Sequence, residues 1–191
     1  FLAMLCWQVS PFISMQLLWI NLVTDSLPAI ALGMEAVESD VMNHPPKPKD
    51  ESLFAHGFGV LIVLQGCMFA ALTLGAYFIG EAITGGDPAG GSTLAFLVLS
   101  LSKIVYAYNM RSDRSLFKIG PFSNKKLNLV TVISVLLIAF VMFVPGVVEA
   151  FNLTYIPWYG YLIGVGFSFV SVVVLEIFKA AGLVRHGKKH D

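Results

Sequence analysis

Asp25 is the residue in this sequence with the most chemistry to offer. It interrupts an otherwise apolar run from Ser14 to Met34. A carboxylate in a membrane-spanning helix costs several kcal/mol unless it is paired or hydrated, so its default reading there is functional. Asn21 lies four residues earlier, and Thr24 three after Asn21. On an α-helix Asn21 and Asp25 point the same way, one turn apart. Pro28 follows, and its missing N–H leaves the carbonyl of Thr24 without its usual partner. One amide oxygen, one carboxylate and one freed carbonyl then converge within about a turn. Hard cations such as calcium want oxygen ligands of that kind, about 6–8 of them, so other helices must complete the set. The alternative is a polar patch that joins helices by hydrogen bonds.

The elements that must hold these residues are helices in a bilayer. Of the 191 residues, 57% are hydrophobic and only 13% charged, whereas a soluble domain carries about 25% charged residues. Spanning needs about 20 apolar residues. The segments 14–34, 58–79, 93–108, 127–148 and 158–175 read as spans, interrupted only by Asp25 in the first and Lys103 in the third. Ahead of them, residues 1–9 read as the second half of a helix ended by Ser10-Pro11. The expected fold is all-α: a polytopic transmembrane bundle with five full spans and a partial N-terminal helix. A soluble helical core is the competing class, but charge-free runs of this length argue against it.

The loops test that count independently. Lys47 and Lys49 follow the first full span; Arg111, Arg114, Lys118, Lys125 and Lys126 follow the third; Lys179, Arg185, Lys188 and Lys189 lie in the tail. With Lys103 these are all twelve basic residues, and the connections around Pro11, 81–92 and 149–155 hold none. Alternate loops are therefore expected on the cytoplasmic side, with the tail. Trp158, Tyr159 and Tyr161 at a span end fit an interfacial aromatic belt. The formal net charge is zero, which gives no bias towards nucleic acid; the expected partner is the lipid bilayer. Cys6 and Cys67 sit in apolar stretches without metal-ligand spacing and read as reduced packing residues. Phe1 opens into apolar sequence without an initiator Met or a basic leader, which we read as a segment of a longer polypeptide.

The run from Gln16 to Ala29, QLLWINLVTDSLPA, closely resembles the sixth transmembrane helix of P-type calcium ATPases. Glu38-Ser39-Asp40-Val41-Met42 and Pro45-Pro46-Lys47 are similar to that family's loop between helices six and seven. Asn109-Met110-Arg111-Ser112 with Phe117-Lys118 resembles the end of helix eight in bacterial members. The resemblance covers the whole chain, from the tail of helix five to helix ten. Its helix-six motif is highly specific, while the later helices match in pattern.

The resemblance implies a calcium-exporting pump in a bacterial plasma membrane. Asn21 and Asp25 stand where the family places side-chain ion ligands, and Thr24 matches a further contributor. Asn21 is usually Asp in sodium/potassium pumps, which favours calcium as the transported ion. The helix-four and helix-five ligands, the phosphorylated aspartate, and the sites for ATP and magnesium belong to the missing N-terminal part of the same polypeptide, so the fragment alone should not hydrolyse ATP. The helix-eight position that is Glu in two-site calcium pumps corresponds to Lys103, counting back from Asn109. An ammonium there acts as a built-in counter-charge and implies one calcium per cycle. Alternatively Lys103 pairs with Asp25 only for packing, or snorkels; Arg111 lies eight residues on, about 12 Å along a helix.

The remaining polar residues read plainly. Glu176 and Lys179 suit a helix-end ion pair. His44, His56, His186 and His190 show no zinc-like grouping. Gly75, Gly80, Gly160, Gly164 and Gly166 suit close helix packing. The charged loop 38–51 reads as a solvated connection, with coupling to the phosphorylation domain as the second reading. Three rivals to a calcium pump remain: a sodium- or proton-transporting relative, a secondary transporter with an Asp/Lys relay, and a purely structural domain. A secondary transporter predicts internal repeats, and none is visible.

Overall fold

The computed structural model describes residues 4, 8–34, 58–109 and 124–180. Of the partial helix expected at 1–9, only Met4, Gln8 and Val9 are described; Met4 is helical, but Gln8 and Val9 are not, and Gln8 takes a left-handed φ of 55°, so the helix does not extend to Val9. The loops bearing Lys47, Lys49, Arg111, Arg114 and Lys118, the four histidines, the side chain of Lys179 and the basic tail lie outside the described residues. Every regular element described is helical.

The first helical segment is not uniform. It begins as α1, Ser14–Trp19, passes through a π-helical stretch at Ile20–Ser26, and continues as α2, Leu27–Gly33. Pro28 stands directly after the π stretch in an unbroken helical segment, so its missing N–H falls where the hydrogen bonding passes from π to α. The turn ahead of the proline is widened, a change the α-helical spacing of Asn21 and Asp25 does not foresee. Gln16 starts the segment: its Oε1 accepts from the Ile13 N–H at 3.1 Å and satisfies one of the orphan donors of the first turn.

α3, Phe58–Ile83, and α4, Pro88–Asn109, form a hairpin. The turn is written in its residues. Gly85 takes a left-handed φ of 75°, the Gly86 N–H reaches the Glu81 carbonyl at 2.8 Å, and Gly85 that of Ala82 at 3.4 Å. This is a Schellman stop, which glycine permits because it has no Cβ. Asp87 then caps α4, its Oδ1 accepting from Ala89 N–H at 2.9 Å, with Pro88 as the first helical residue. The cap explains why α4 begins five residues before the apolar run at Thr93.

α4 is the central helix. It packs against α3, the π stretch, α5 (Lys125–Phe143) and α7 (Trp158–Ala180). Leu94, Ala95, Phe96, Val98, Ser100 and Ser102 on α4 are all 0% exposed. Close approach to α3 runs through Gly80, whose place a Cβ would fill at 2.5 Å from the Gly90 carbonyl oxygen. On the other side Gly164 of α7 meets Leu97 and Leu94. Gly75 has only an ordinary contact with Phe167, and Gly166 has open space beside it.

The apolar run 127–148 is carried by two helices rather than one. Asn124 caps α5 by accepting from the N–H groups of Lys126 and Leu127, both at 2.9 Å. The chain leaves helix at Val144, ahead of Pro145, and α6 (Pro145–Ala150) follows. The connection to α7 folds inward. Phe151, Leu153 and Ile156 are buried, and the Thr154 N–H donates to Thr93 Oγ1 at 2.9 Å. Phe151 stands edge-on to Trp19 and Phe96, with ring centroids 5.5 and 6.3 Å apart. Its carbonyl accepts from Gln16 Nε2 at 2.8 Å. Gln16 is fully buried, so this amide pins the start of the first segment to a loop 135 residues away. Replacing it with Leu is expected to cost about 1 kcal/mol, the usual size of an interhelical hydrogen bond in a bilayer protein. Thermal unfolding of the intact protein in detergent measures this; a Gln16→Leu variant as stable as wild type removes the anchor.

Four described helical segments are long and apolar enough to cross a membrane: Ser14–Gly33, Ile62–Ile83, Pro88–Asn109 and Lys125–Phe143. Trp158–Val174 is a shorter apolar stretch within α7. Trp158 and Tyr159 are exposed at its start. Large apolar side chains such as Leu18, Leu22, Val63, Leu136 and Val173 are also exposed, a surface suited to lipid or to further apolar helices.

Candidate functional site

Asp25 lies within the π stretch, just past the middle of the first segment, and Lys103 six residues before the end of α4. The two segments run the same way, because Ala31 packs beside Ala107 and Leu127 where Asp25 meets Lys103 further back. Lys103 Nζ donates to Asp25 Oδ2 at 2.7 Å. The side chains remain 25% and 46% exposed respectively, so the pair sits on the flank of the bundle rather than in its core. The ammonium neutralises the carboxylate in a region where either charge alone is costly.

The neighbouring residues divide between two faces. Asn21, Asp25 and Ser26 are exposed; Val23 and Thr24 are buried. The Thr24 hydroxyl donates to the Ile20 carbonyl at 2.6 Å, and the Ser26 hydroxyl to the Asn21 carbonyl at 3.2 Å. The structure therefore leaves Asn21 and Asp25 on the open side with Lys103 beside Asp25, and turns the side chain of Thr24 into the bundle. Among the described residues there is no group of three or more His, Cys, Asp or Glu able to hold a metal ion. The arrangement can supply one amide and one carboxylate to a cation approaching the open flank, in competition with an ammonium.

Two polar residues here escape a reading by local spacing. Gln16 bonds to the Phe151 carbonyl, 135 residues away, which no local spacing indicates. Ser26 follows Asp25 and reaches back five residues, a distance that an α-helical reading does not consider.

Comparison with known proteins bears on the same segment. The family model described as "Cation transporting ATPase, C-terminus" matches residues 9–181. The chain belongs to this family. As a C-terminal domain of the cation-transporting ATPases it is similar to "Calcium-transporting ATPase 1" of Bacillus cereus, 34% identical over 200 residues, which covers 95% of this chain and 22% of that protein. The "Calcium-transporting ATPase" of Bacillus subtilis is 33% identical over 173 residues, covering 91% of this chain and 19% of the relative. "Calcium-transporting ATPase lmo0841" of Listeria monocytogenes is 35% identical over 177 residues, covering 90% and 19%. The chain thus spans about a fifth of the length of the curated relatives it matches. Membership of this ATPase family and the four apolar helices make it an integral membrane domain.

Proposed function

We propose that this domain supplies part of the ion site of an ATP-driven pump that exports calcium, with Asn21 and Asp25 as side-chain ligands and Thr24 as a further contributor. The observation that carries the reading is Asp25, exposed on a widened mid-span turn with Asn21, its carboxylate held 2.7 Å from Lys103. A carboxylate in that position needs either a permanent partner or an ion, and Lys103 and calcium are alternative answers to the same need. The bacterial relatives are named as calcium-transporting ATPases, which favours calcium as the ion.

In this reading the chain crosses the bilayer five times, with α7 as the last crossing and the residues ahead of Gln8 as the end of a preceding helix. The loops near Lys47 and Arg111 and the tail face the cytoplasm of a bacterial plasma membrane. The remaining oxygen ligands, ATP, magnesium and the phosphorylated aspartate belong to the rest of the pump. Lys103 acts as a resident counter-charge: a second divalent ion beside a fixed ammonium is repelled, so one calcium moves per cycle. A measured ratio of two calcium ions per ATP sinks that part of the proposal.

The Asp25–Lys103 contact also suits a pump for sodium or protons, or a secondary transporter relaying a proton along the pair. Phosphorylation of the intact parent protein by ATP separates these. Half-saturation at micromolar calcium that weakens by at least about tenfold, or is lost, in Asp25→Asn is the expected result for a carboxylate ligand. Phosphorylation indifferent to calcium in both proteins transfers the assignment to another ion.

A further inference from the structure

The first segment is held at both ends. At one, Gln16 donates to the Phe151 carbonyl and Trp19 packs on Phe151. At the other, Ala31 is locked between Ala107 and Leu127. Between the two anchors lies the π stretch Ile20–Ser26. The spacing of Asn21 and Asp25 is therefore set by the winding of that stretch.

Two hydroxyls bond to successive carbonyls at its start, and they do so differently. Thr24 reaches Ile20, four residues back, as serines and threonines commonly do in ordinary helices. Ser26 reaches Asn21, five residues back, at 3.2 Å. That span is offered by a widened turn, the kind of segment that occurs mostly as single turns, frequently at functional sites. The bond closes a ring that contains both Asn21 and Asp25 and ties the main chain of one to the residue after the other.

We propose that Ser26 is a positioning residue for cation binding: its hydroxyl holds the Asn21 carbonyl across the π turn and so sets the spacing of Asn21 and Asp25. This rests on the reading of Asn21 and Asp25 as ligands. Ser26 itself need not touch the ion. Without the hydroxyl, the turn loses a bond that only the widened form makes, and the two ligands present themselves in the right register less often.

The test is the calcium dependence of phosphorylation by ATP in the intact pump, comparing wild type, Ser26→Ala and Ser26→Thr. Loss of one hydrogen bond corresponds to about a five-fold rise in half-saturating calcium for Ser26→Ala. The maximal phosphorylation level at saturating calcium is expected to stay at the wild-type value, and Ser26→Thr, which keeps the hydroxyl, to restore half-saturation. Three results overturn the proposal: Ser26→Ala indistinguishable from wild type, Ala and Thr equally impaired, or a fall in the maximal level that calcium does not recover. If wild type itself ignores calcium, the ligand reading fails and this inference fails with it. If wild type responds and Ser26→Ala does not differ, only the inference fails.

Discussion

Replacing Asp25 with Ala is expected to destabilise the intact protein more than replacing Asp25 and Lys103 together. The single change leaves an ammonium on a spanning helix without the carboxylate that now lies 2.7 Å away. Insertion scales put a lone lysine at a helix centre at about 2.5–3.5 kcal/mol. Lys103 lies six residues from the end of α4, so snorkelling reduces the cost to about 2 kcal/mol. Asp25→Ala with Lys103→Met removes both charges, keeps the volume of the lysine stem, and is expected to sit within about 1 kcal/mol of wild type. The four proteins of this cycle, unfolded thermally in detergent, give the coupling directly. Additive single changes mean that the contact contributes no stability, and the resident counter-charge loses its physical basis. The same variants carry a functional sign: Lys103→Met alone frees Asp25 from competition and is expected to tighten calcium binding.

The second large effect is steric. At Gly80 an added Cβ lies 2.5 Å from the Gly90 carbonyl oxygen, 2.8 Å from Leu94 Cβ and 3.0 Å from Gly91 Cα. Two of the three are backbone atoms, so Gly80→Ala must push α3 and α4 apart rather than turn a side chain aside. Overpacking of that kind costs about 1–3 kcal/mol. At Gly164 the nearest atom is Leu97 Cδ2, also at 2.5 Å, but the end of a leucine can swing away, so Gly164→Ala is expected to cost less. Gly66 has nothing within 4 Å; there alanine gains up to about 1 kcal/mol in helix propensity. The expected order of melting temperatures is Gly66→Ala at or above wild type, then Gly164→Ala, then Gly80→Ala. A Gly80→Ala protein that melts with wild type shows that the α3–α4 crossing is looser than its geometry. Because α4 also carries Lys103, the displaced crossing is expected to alter the Asp25 contact as well.

What could be read along the chain was local. A bilayer forces each spanning segment to satisfy its own backbone, so long apolar runs announce helices without reference to any neighbour. Asp25 stood out because its cost in such a run is intrinsic, and Pro28 because it lacks an N–H wherever it is placed. The specific helix-six pattern pointed to the family before any contact was known.

Tertiary structure decided the rest. Lys103 and Asp25 are 78 residues apart, and nothing in either helix says that they touch. The α-helical period placed Asn21 and Asp25 on one face, but the widened turn Ile20–Ser26 that carries them is visible only in the folded chain. Thr24 turned inward because α4 packs against that side, and Gln16 found its partner only after the chain had folded back at Phe151. Gly80 and Gly66 are the same residue type in the same apolar helix, yet one is a contact and the other faces open space. Lipid and protein interior are equally apolar, so hydropathy cannot say which face of a spanning helix meets a neighbour; only the assembled bundle does.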